Sequence, residues 1–350
     1  MQVHLFHGPP QDKWFSMDMY AHALTTSLQT LPEKLELKRL NFPRPFPQIT
    51  GRVGAYLSLL WRLVAYPFLA SSHRGPINHI LDHSYAHLAY SFPSHNTIIT
   101  CHDLAPWAMG ESFTSFSYLT WRGIINGLKR AKHILADSQS TANDLQKLLN
   151  ISREQLHVIP LGVQPHFCPT PSDMRQRLGI PTDKKLILHI GSNLPRKNIT
   201  ILLQSLNYLP PNFILLQVGG NLPRSPQVWP LGYIPATDLP ALYSLADVFV
   251  FPSKYEGFGL PILEAMACGT PTIAANTSSL PEITGDAGLM VSPHDPQELA
   301  NAIQRIITEP DLAHNLRQRG LQRVKLFTWE ETARQTLTVY QQVWAEVYKI

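Results

Sequence analysis

The stretch that decides the fold runs from residue 251 to residue 271 and reads FPSKYEGFGLPILEAMACGTP. Residues 248–251 form a short apolar run of the kind that makes a buried strand. Gly257 and Gly259 flank one aromatic residue, and Pro261 suits the first turn of a helix, where its missing N–H is not needed. The stretch therefore predicts a strand, a glycine loop and a helix, whose backbone N–H groups converge on an anion site.

Two carboxylates flank this loop. Glu256 precedes it, and Glu264 lies one turn into the predicted helix, where the helix dipole favours the ionised form. An ionised carboxylate accepts hydrogen bonds from a pair of vicinal hydroxyls, such as those of a ribose. Either residue alone is explained by a solvated loop or a helix-start charge. Two of them around a glycine loop at the carboxyl edge of a sheet favour a binding role.

A second segment, residues 189–198, reads HIGSNLPRKN and follows the first strand of the second half. Arg196 and Lys197 lie where the next helix is predicted to begin, a place where cations oppose the helix dipole. A bound polyanion resolves this conflict, because arginine binds phosphate through two hydrogen bonds and lysine acts as a point charge. The alternative is a solvated pair of loop residues.

A third segment, residues 98–106, reads IITCHDLAP and places His102 and Asp103 at the end of a predicted buried strand. A histidine at this edge can donate to a substrate hydroxyl or titrate near neutral pH. The alternative is a structural histidine, with Asp103 shaping the turn.

Several other functional patterns are absent from the sequence. It contains no GxxxxGK[ST] phosphate loop, no GxGxxG after the first strand, no GxSxG elbow and no Asp-x-Asp. His79, His83 and His87 recur every four residues, but no HExxH pattern accompanies them. The sequence therefore predicts no metal site.

Short apolar runs alternate with helix-compatible stretches along the whole chain, as in a mostly parallel α/β sheet. The predicted strands are residues 3–7, 35–42, 77–82, 97–101, 133–137 and 156–159 in the first half, and residues 185–190, 213–218, 248–251, 270–275 and 288–291 in the second. This predicts two Rossmann-like, doubly wound domains whose sheets face a cleft. The domain boundaries predicted are 1–167 for the first domain, 168–182 for a proline-rich connector, 183–327 for the second domain and 328–350 for a closing helix.

The composition is that of a globular protein. Of 350 residues, 44% are hydrophobic and 15% are charged, which excludes wholesale disorder. Three cysteines without a short-range pair exclude a disulfide scaffold and fit a reducing compartment. The first residues predict a strand and not a signal peptide, so a cytoplasmic location is expected.

The charge is unevenly distributed. Residues 1–168 contain 14 Lys/Arg and 10 Asp/Glu, whereas residues 169–350 contain 15 of each, so the net charge of +4 belongs to the first part. Without a Lys/Arg run or a zinc-finger spacing, nucleic acid is not the expected partner. The apolar residues 53–70 include Arg62, whose central charge would cost ~2.5–3.5 kcal/mol on insertion and disfavours a spanning helix. Two alternatives stay open, a mostly buried helix and an interfacial helix that contacts the inner face of a membrane.

Together, these segments resemble family 4 of the retaining glycosyltransferases, also described as glycosyl transferases group 1. Residues 256–264 are similar to the E-x7-E motif of the family, residues 195–198 to its donor-diphosphate segment and residues 100–104 to its N-domain histidine motif. Ser192 stands where many members have an arginine. The resemblance covers nearly the whole chain and is closest to bacterial mannosyl- and hexosyltransferases of polysaccharide assembly.

The resemblance implies the GT-B fold, with the closing helix crossing back to the first domain. It also implies retaining, metal-independent transfer of a hexose, with mannose favoured, from a GDP- or UDP-sugar to a glycan or lipid-linked acceptor, without a cofactor. The catalytic residues implied are Glu256, His102, Lys197 and Arg196. The donor-binding residues implied are Gly257, Phe258, Gly259, Leu260, Glu264 and Ser192. The alternatives are a sugar-nucleotide epimerase of the same fold and a non-catalytic protein that binds nucleotides or glycans.

Overall fold

The protein is described by a computed structural model that covers residues 1–12, 15–46, 51–110 and 115–348. The chain divides into two compact units. The first comprises Met1–Pro160 and Trp329–Ile350, and the second is Leu161–Thr328. The predicted two-domain α/β organisation is confirmed.

The first unit is built on a parallel sheet. Its strands are β1 (Gln2–Phe6), β2 (Glu36–Leu40), β3 (Ile77–Ile80), β4 (Thr97–Cys101), β5 (His133–Ala136) and β6 (Leu156–Val158). Within the described residues the six strands follow the order β2-β1-β3-β4-β5-β6. Each overlaps a predicted strand, because runs of buried aliphatic residues such as those of β4 are a local signal.

Helices cover this sheet. They are α1 (Phe15–Thr30), α2 (Gly51–Leu60), α3 (Tyr66–Ser72), α4 (Ala105–Ala108), α5 (Ser115–Arg130) and α6 (Gln139–Leu149). A π-helical turn, Trp61–Ala65, joins α2 to α3, so that Val53–Ser72 lies in one continuous helix. Only 22% of its most apolar window is buried, so the alternative of a mostly buried helix is wrong.

The second unit contains another parallel sheet. Its strands are β7 (Lys185–Ile190), β8 (Phe213–Val218), β9 (Val228–Gly232), β10 (Val248–Phe251), β11 (Thr272–Ala275) and β12 (Gly288–Val291). Among the described residues these six strands follow the order β12-β11-β10-β7-β8-β9. The sequence did not predict β9, because Pro230 and Gly232 are residues that weaken a strand pattern and are tolerated at a sheet edge.

The helices of the second unit alternate with its strands. They are α7 (Met174–Arg177), α8 (Ile199–Ser205), α9 (Leu239–Leu245), α10 (Leu260–Ala267), α11 (Leu280–Thr284), α12 (Pro296–Thr308) and α13 (Pro310–Arg323). The core between helices and sheet consists of aliphatic residues, including the fully buried Ile187, Leu202, Leu215 and Ile303. The strand-to-helix turns therefore emerge at the carboxyl edge of the sheet.

The last helix, α14 (Trp329–Tyr348), packs in the first unit, as predicted. The Thr332 hydroxyl donates to the Pro160 carbonyl over 2.7 Å, and the Tyr340 hydroxyl lies 2.6 Å from His79 Nδ1. The helix itself was predicted from its apolar spacing, and its packing in the first unit was predicted from the family resemblance.

The proline-rich stretch predicted as a connector at 168–182 differs in the structure. Its residues belong to the second unit, which begins at Leu161. The buried ring of Phe167, just before the stretch, lies 5.9 Å from the Tyr243 ring, and the Thr170 amide donates to Ser244 Oγ over 2.9 Å. These two contacts attach the start of the stretch to α9.

Candidate active site

The second sheet has a switch point between β7 and β10. The chain leaves β7 towards one edge through β8 and β9, and it leaves β10 towards the other edge through β11 and β12. In open parallel sheets the loops at such a point diverge and leave a crevice at the carboxyl ends of the strands. Residues 191–197 follow β7 and residues 252–259 follow β10, so the two predicted motifs meet at the position where this class of sheet binds ligands.

Three of the predicted catalytic side chains meet there. Arg196 Nη1 lies 3.2 Å from Glu256 Oε2, and Lys197 Nζ lies 2.7 Å from Glu256 Oε1. The Lys197 ammonium also lies 5.1 Å from the centre of the Phe251 ring. The Glu256 side chain is 10% exposed, so its contacts with the two cations are partly shielded from water. Two cations against one carboxylate leave an excess positive charge at the switch point.

The turn that holds the cations is anchored by a residue that the sequence analysis did not single out. Asn198 has a backbone φ of 55°. Its side-chain amide donates to the carbonyls of Pro252 over 3.0 Å and Pro293 over 2.8 Å. Arg196 and Lys197 lie in a separate 3-10 turn, Pro195–Lys197, ahead of α8. The predicted helix start near Asn198 is confirmed, since α8 begins at Ile199, and the left-handed Asn198 separates this helix from the turn that carries the two cations.

The loop before α10 is held by two serines that the sequence analysis missed. The Glu256 amide donates to Ser278 Oγ over 3.1 Å, and Ser279 Oγ donates to the Phe258 carbonyl over 2.6 Å. Phe258 is buried, with its ring 6.0 Å from that of Phe327. These bonds come from residues more than twenty positions away, and the only signal for them in the sequence is the pair of serines that precedes Leu280 and Pro281.

Gly259 immediately precedes α10 and has a φ of 122°, and no described side chain caps this end of the helix. A Cβ atom at Gly259 would lie 3.1 Å from Leu280 Cδ2. Gly257 is buried and Leu260, the first helical residue, is half-buried. The first turn of α10 therefore lies at the switch point. The helix begins at Leu260, so that Pro261 lies in the first turn as the sequence predicted.

Glu264 differs from expectation. The Tyr243 hydroxyl donates to Glu264 Oε2 over 2.7 Å. Burial raises the pKa of Glu264 to about 7, and this hydrogen bond only partly opposes the shift. The expectation of a carboxylate fully ionised by the helix dipole is corrected, since the loss of hydration outweighs the dipole.

Ser192 is half-buried on the loop after β7. Three buried polar atoms near this edge have no hydrogen-bond partner in the described part of the chain: His189 Nε2, Gln217 Oε1 and Ser253 Oγ. His189 Nδ1 lies 3.1 Å from the Val250 carbonyl, and burial lowers the pKa of His189 to about 4, so the ring is neutral and its Nε2 is an acceptor. The sequence offered no signal for these three beyond their position at strand ends.

His102 lies in the first unit, at the end of β4, and both its ring nitrogens bond to the protein. Nδ1 lies 2.7 Å from Asp137 Oδ2, and Nε2 lies 2.9 Å from the Leu81 carbonyl. Burial would lower the pKa of His102, but the charge and hydrogen bond of Asp137 and the charge of Asp82 raise it to about 9. The expected titration near neutral pH is therefore wrong. The ring is an imidazolium that donates to two protein acceptors, which matches the structural alternative.

The first sheet also has a switch point, between β1 and β3. A small cavity there is lined by His7, Gly8, Pro9, Asp12, Met17, Asp18 and Asp82. His7 Nε2 lies 3.4 Å from Asp18 Oδ1. The sequence analysis did not predict this acidic cluster, because its members come from the turn after β1, the first turn of α1 and the end of β3. Across the residues that the structure describes, no group of His, Cys, Asp and Glu side chains is placed to hold a metal ion.

Comparisons with known proteins agree with this architecture. A family model described as "Glycosyltransferase Family 4" matches residues 24–167, and one described as "Glycosyl transferases group 1" matches residues 172–323. The chain is 29% identical to O-antigen chain mannosyltransferase B of Escherichia coli, over 92% of this chain and 94% of that one.

Solved structures show the same fold. A sucrose-phosphate synthase of Thermosynechococcus elongatus is 25% identical, with a TM-score of 0.76 over 99% of this chain and all of the other. HepE of Anabaena, solved in complex with UDP and glucose, is 20% identical, with a TM-score of 0.75 over 97% and 99% of the two chains.

The two parallel sheets and these matches define a glycosyltransferase of the GT-B fold. The chain belongs to family 4 of the glycosyltransferases, among relatives that include bacterial mannosyltransferases, and it is an enzyme of the hexosyltransferase type.

Proposed function

We propose that the protein transfers mannose, with retention of the anomeric configuration, from a nucleoside diphosphate to a hydroxyl of a glycan or lipid-linked acceptor. The observation that carries this proposal is the contact of Glu256 with Arg196 and Lys197 at the switch point of the second sheet. The choice of mannose rests on the similarity to the O-antigen mannosyltransferase, and GDP and UDP are the two candidate carriers.

The ion cluster suggests how the donor binds. A diphosphate carries more negative charge than one carboxylate, so it competes with Glu256 for Arg196 and Lys197. Binding of the diphosphate releases Glu256 from these cations and makes its carboxylate available to the donor sugar. As the bond between sugar and diphosphate breaks, the leaving group gains charge. The two cations and the first turn of α10 stabilise that charge.

The carboxylate of Glu256 then faces the positive charge that develops at the anomeric carbon. It would stabilise this charge by electrostatic attraction in a site from which water is partly excluded. Gly257, Phe258, Gly259 and Leu260 contribute backbone to the donor site, and Ser192 contributes its hydroxyl. Glu264 would accept hydrogen bonds from the ribose.

We assign the acceptor to the first unit. Asp18 and Asp82 lie at the switch point of its sheet, and carboxylates accept hydrogen bonds from sugar hydroxyls. His102 acts there as a positioning residue, because its ring fixes Asp137 and the Leu81 carbonyl and has no ring nitrogen left for a sugar. We also propose that the enzyme works in the cytoplasm, with peripheral contact at the inner face of the membrane.

Incubation with a panel of GDP- and UDP-sugars tests the proposal. Nucleotide release that requires an acceptor supports a transferase, whereas release without an acceptor and with formation of a new free sugar supports the epimerase alternative. Binding without release supports the non-catalytic alternative. Lys197→Ala is the test variant and Lys254→Ala is its control, because the exposed Lys254 follows β10 without contacting Glu256 in the described hydrogen bonds.

A further inference from the structure

One helix face of the first unit is apolar and exposed. Val53, Tyr56, Leu60, Val64 and Phe68 recur every three or four residues along Val53–Ser72, and each is between 58% and 74% exposed. This spacing places the five side chains on one side of a helix. We call these five residues the apolar face. Single exposed apolar residues are normal on a soluble protein, but a contiguous row of this length marks an interaction surface.

The opposite side of the same helix is fixed to the first unit. Tyr66 and Ala70 are fully buried, and the Tyr66 hydroxyl donates to the His7 carbonyl. Arg62 donates to the Ser84 carbonyl, and its guanidinium lies 4.6 Å from the centre of the Tyr85 ring. By length and composition the helix could cross a membrane, but crossing would break these contacts and bury the Arg62 charge. The helix therefore stays on the unit with its apolar face outward.

The charged residues in the sequence around this helix are all basic. Residues 37–81 contain no Asp or Glu, and their Lys and Arg residues are Lys38, Arg39, Arg44, Arg52, Arg62 and Arg74. Lys38 and Arg74 are exposed on the side of the sheet that the helix covers. Arg39, the next residue of β2, points to the opposite side, and Arg44 pairs with Asp12 inside the unit. Free cations beside an apolar helix face are the combination that binds anionic lipid.

A second copy of the chain fits this surface less well. A two-fold contact would bring the same basic segment of each copy together, because such interfaces use the same patch twice. Like charges would then be buried without partners, whereas a lipid surface supplies both acyl chains and negative head groups.

We propose that this helix lies in the plane of an anionic lipid surface, with the apolar face in the boundary between head groups and acyl chains. Lys38 and Arg74, on the side of the sheet that the helix covers, then face the lipid phosphates. The proposal specifies the partner of the membrane contact and is independent of the chemistry of sugar transfer, so the two can fail separately.

Co-sedimentation with vesicles tests the apolar part. The intact protein should pellet with vesicles of phosphatidylglycerol and phosphatidylcholine at low salt. Leu60→Asp/Phe68→Asp should lose about 100-fold or more in lipid partitioning, because burial of each side chain is worth roughly 1.5–3 kcal/mol. The control is Tyr233→Asp/Leu326→Asp, which alters two apolar residues of the second unit that are also more than half exposed. Both variants should keep the unfolding temperature and the rate of nucleotide release with a soluble acceptor.

A second pair of variants tests the charge. Lys38→Gln/Arg74→Gln should weaken binding by about 30-fold, at roughly 1 kcal/mol per cation near the surface. Lys185→Gln/Arg317→Gln/Lys325→Gln removes three exposed cations of the second unit and should have little effect. Binding should also fall with added salt and be weak on phosphatidylcholine alone.

The proposal is overturned if the intact protein stays in the supernatant at low salt, or if test and control variants lose binding equally. It is also overturned if the intact protein binds no vesicles and light scattering shows that it is a dimer, whereas Leu60→Asp/Phe68→Asp is a monomer. If the intact protein binds vesicles but releases no nucleotide from any donor, the proposed function alone is contradicted.

Discussion

Glu256 contacts two cations that come from a loop about sixty residues earlier. A carboxylate that bridges an arginine and a lysine preserves their orientation while no diphosphate is bound. Since one carboxylate cannot neutralise both, the pair keeps an affinity for a more highly charged anion. In the proposed mechanism, this contact keeps the two cations that stabilise the leaving group and the Glu256 carboxylate that faces the sugar in one cluster.

Replacement of Lys197 tests this cluster at its closest contact. Lys197→Ala should lower kcat/KM by about 2–4 kcal/mol in transition-state free energy, comparable to the loss of one oxyanion-hole donor. The measurement is the steady-state rate over a range of donor concentrations, with Lys254→Ala as the control. Unchanged turnover would show that Arg196 and the α10 amides suffice.

Glu264 should make donor binding depend on pH. Because its pKa is raised to about 7, the carboxyl is increasingly ionised as the pH rises through that value and accepts hydroxyl hydrogen bonds more strongly. We expect the donor KM to fall as the pH rises through about 7. Glu264→Gln should have a higher KM without this dependence. A pH dependence that survives in Glu264→Gln would assign it to another group.

His102 should make the folding stability depend on pH, with less stability at high pH. Its pKa is raised to about 9, so the stabilisation is complete below the unfolded value of about 6.5 and is lost as the pH rises through the folded value. The unfolding temperature should therefore fall between about pH 6.5 and pH 9. His102→Gln should lose this component and the exposed His95→Gln should retain it. Equal curves for the two variants would contradict the charged ring.

At the scale of single elements, the turn into α10 depends on Gly259. Its φ of 122° is unfavourable for any other residue, and a Cβ atom would approach Leu280 Cδ2 to 3.1 Å. Gly259→Ala should lower the free energy of unfolding by about 1–3 kcal/mol and weaken donor binding, because the first turn of α10 shifts.

Gly232→Ala is the matched control for this element. Gly232 also has a positive φ, of 65°, but no atom lies within 4 Å of its would-be Cβ atom. The cost there should be about 1 kcal/mol, without a change in donor binding. Denaturant unfolding and donor titration measure both quantities. A smaller effect at Gly259 than at Gly232 would show that the loop relaxes freely.

At the scale of the whole molecule, we expect catalysis without a divalent metal. The cations at the second switch point take the neutralising role, and a metal ion beside them would be repelled and would lack hard oxygen ligands. Initial rates should survive excess EDTA with little loss. Added Mg²⁺ should at most speed product release by chelating free nucleoside diphosphate. If EDTA abolishes turnover and Mn²⁺ restores it, the diphosphate site is wrongly placed.

The sequence by itself determined the architecture and the motif positions. Apolar runs and helix periodicity are local, so the two series of strands, the glycine loop before α10 and the helix at the end of the chain could be predicted. β9 was missed, since Pro230 and Gly232 hide an edge strand. The two segments that carry the site of the second unit were recognisable because strand ends and helix starts identify the binding edge of a parallel sheet.

Only the tertiary structure decided what these residues do to one another. The contact of Glu256 with Lys197, the Tyr243 hydroxyl on Glu264 and the two acceptors of His102 all join residues distant in sequence. The exposure of the Val53–Ser72 helix is likewise a property of packing, because the same apolar residues fit a core or a lipid surface. Protonation and exposure depend on what surrounds a side chain, and that surrounding exists only after the chain has folded.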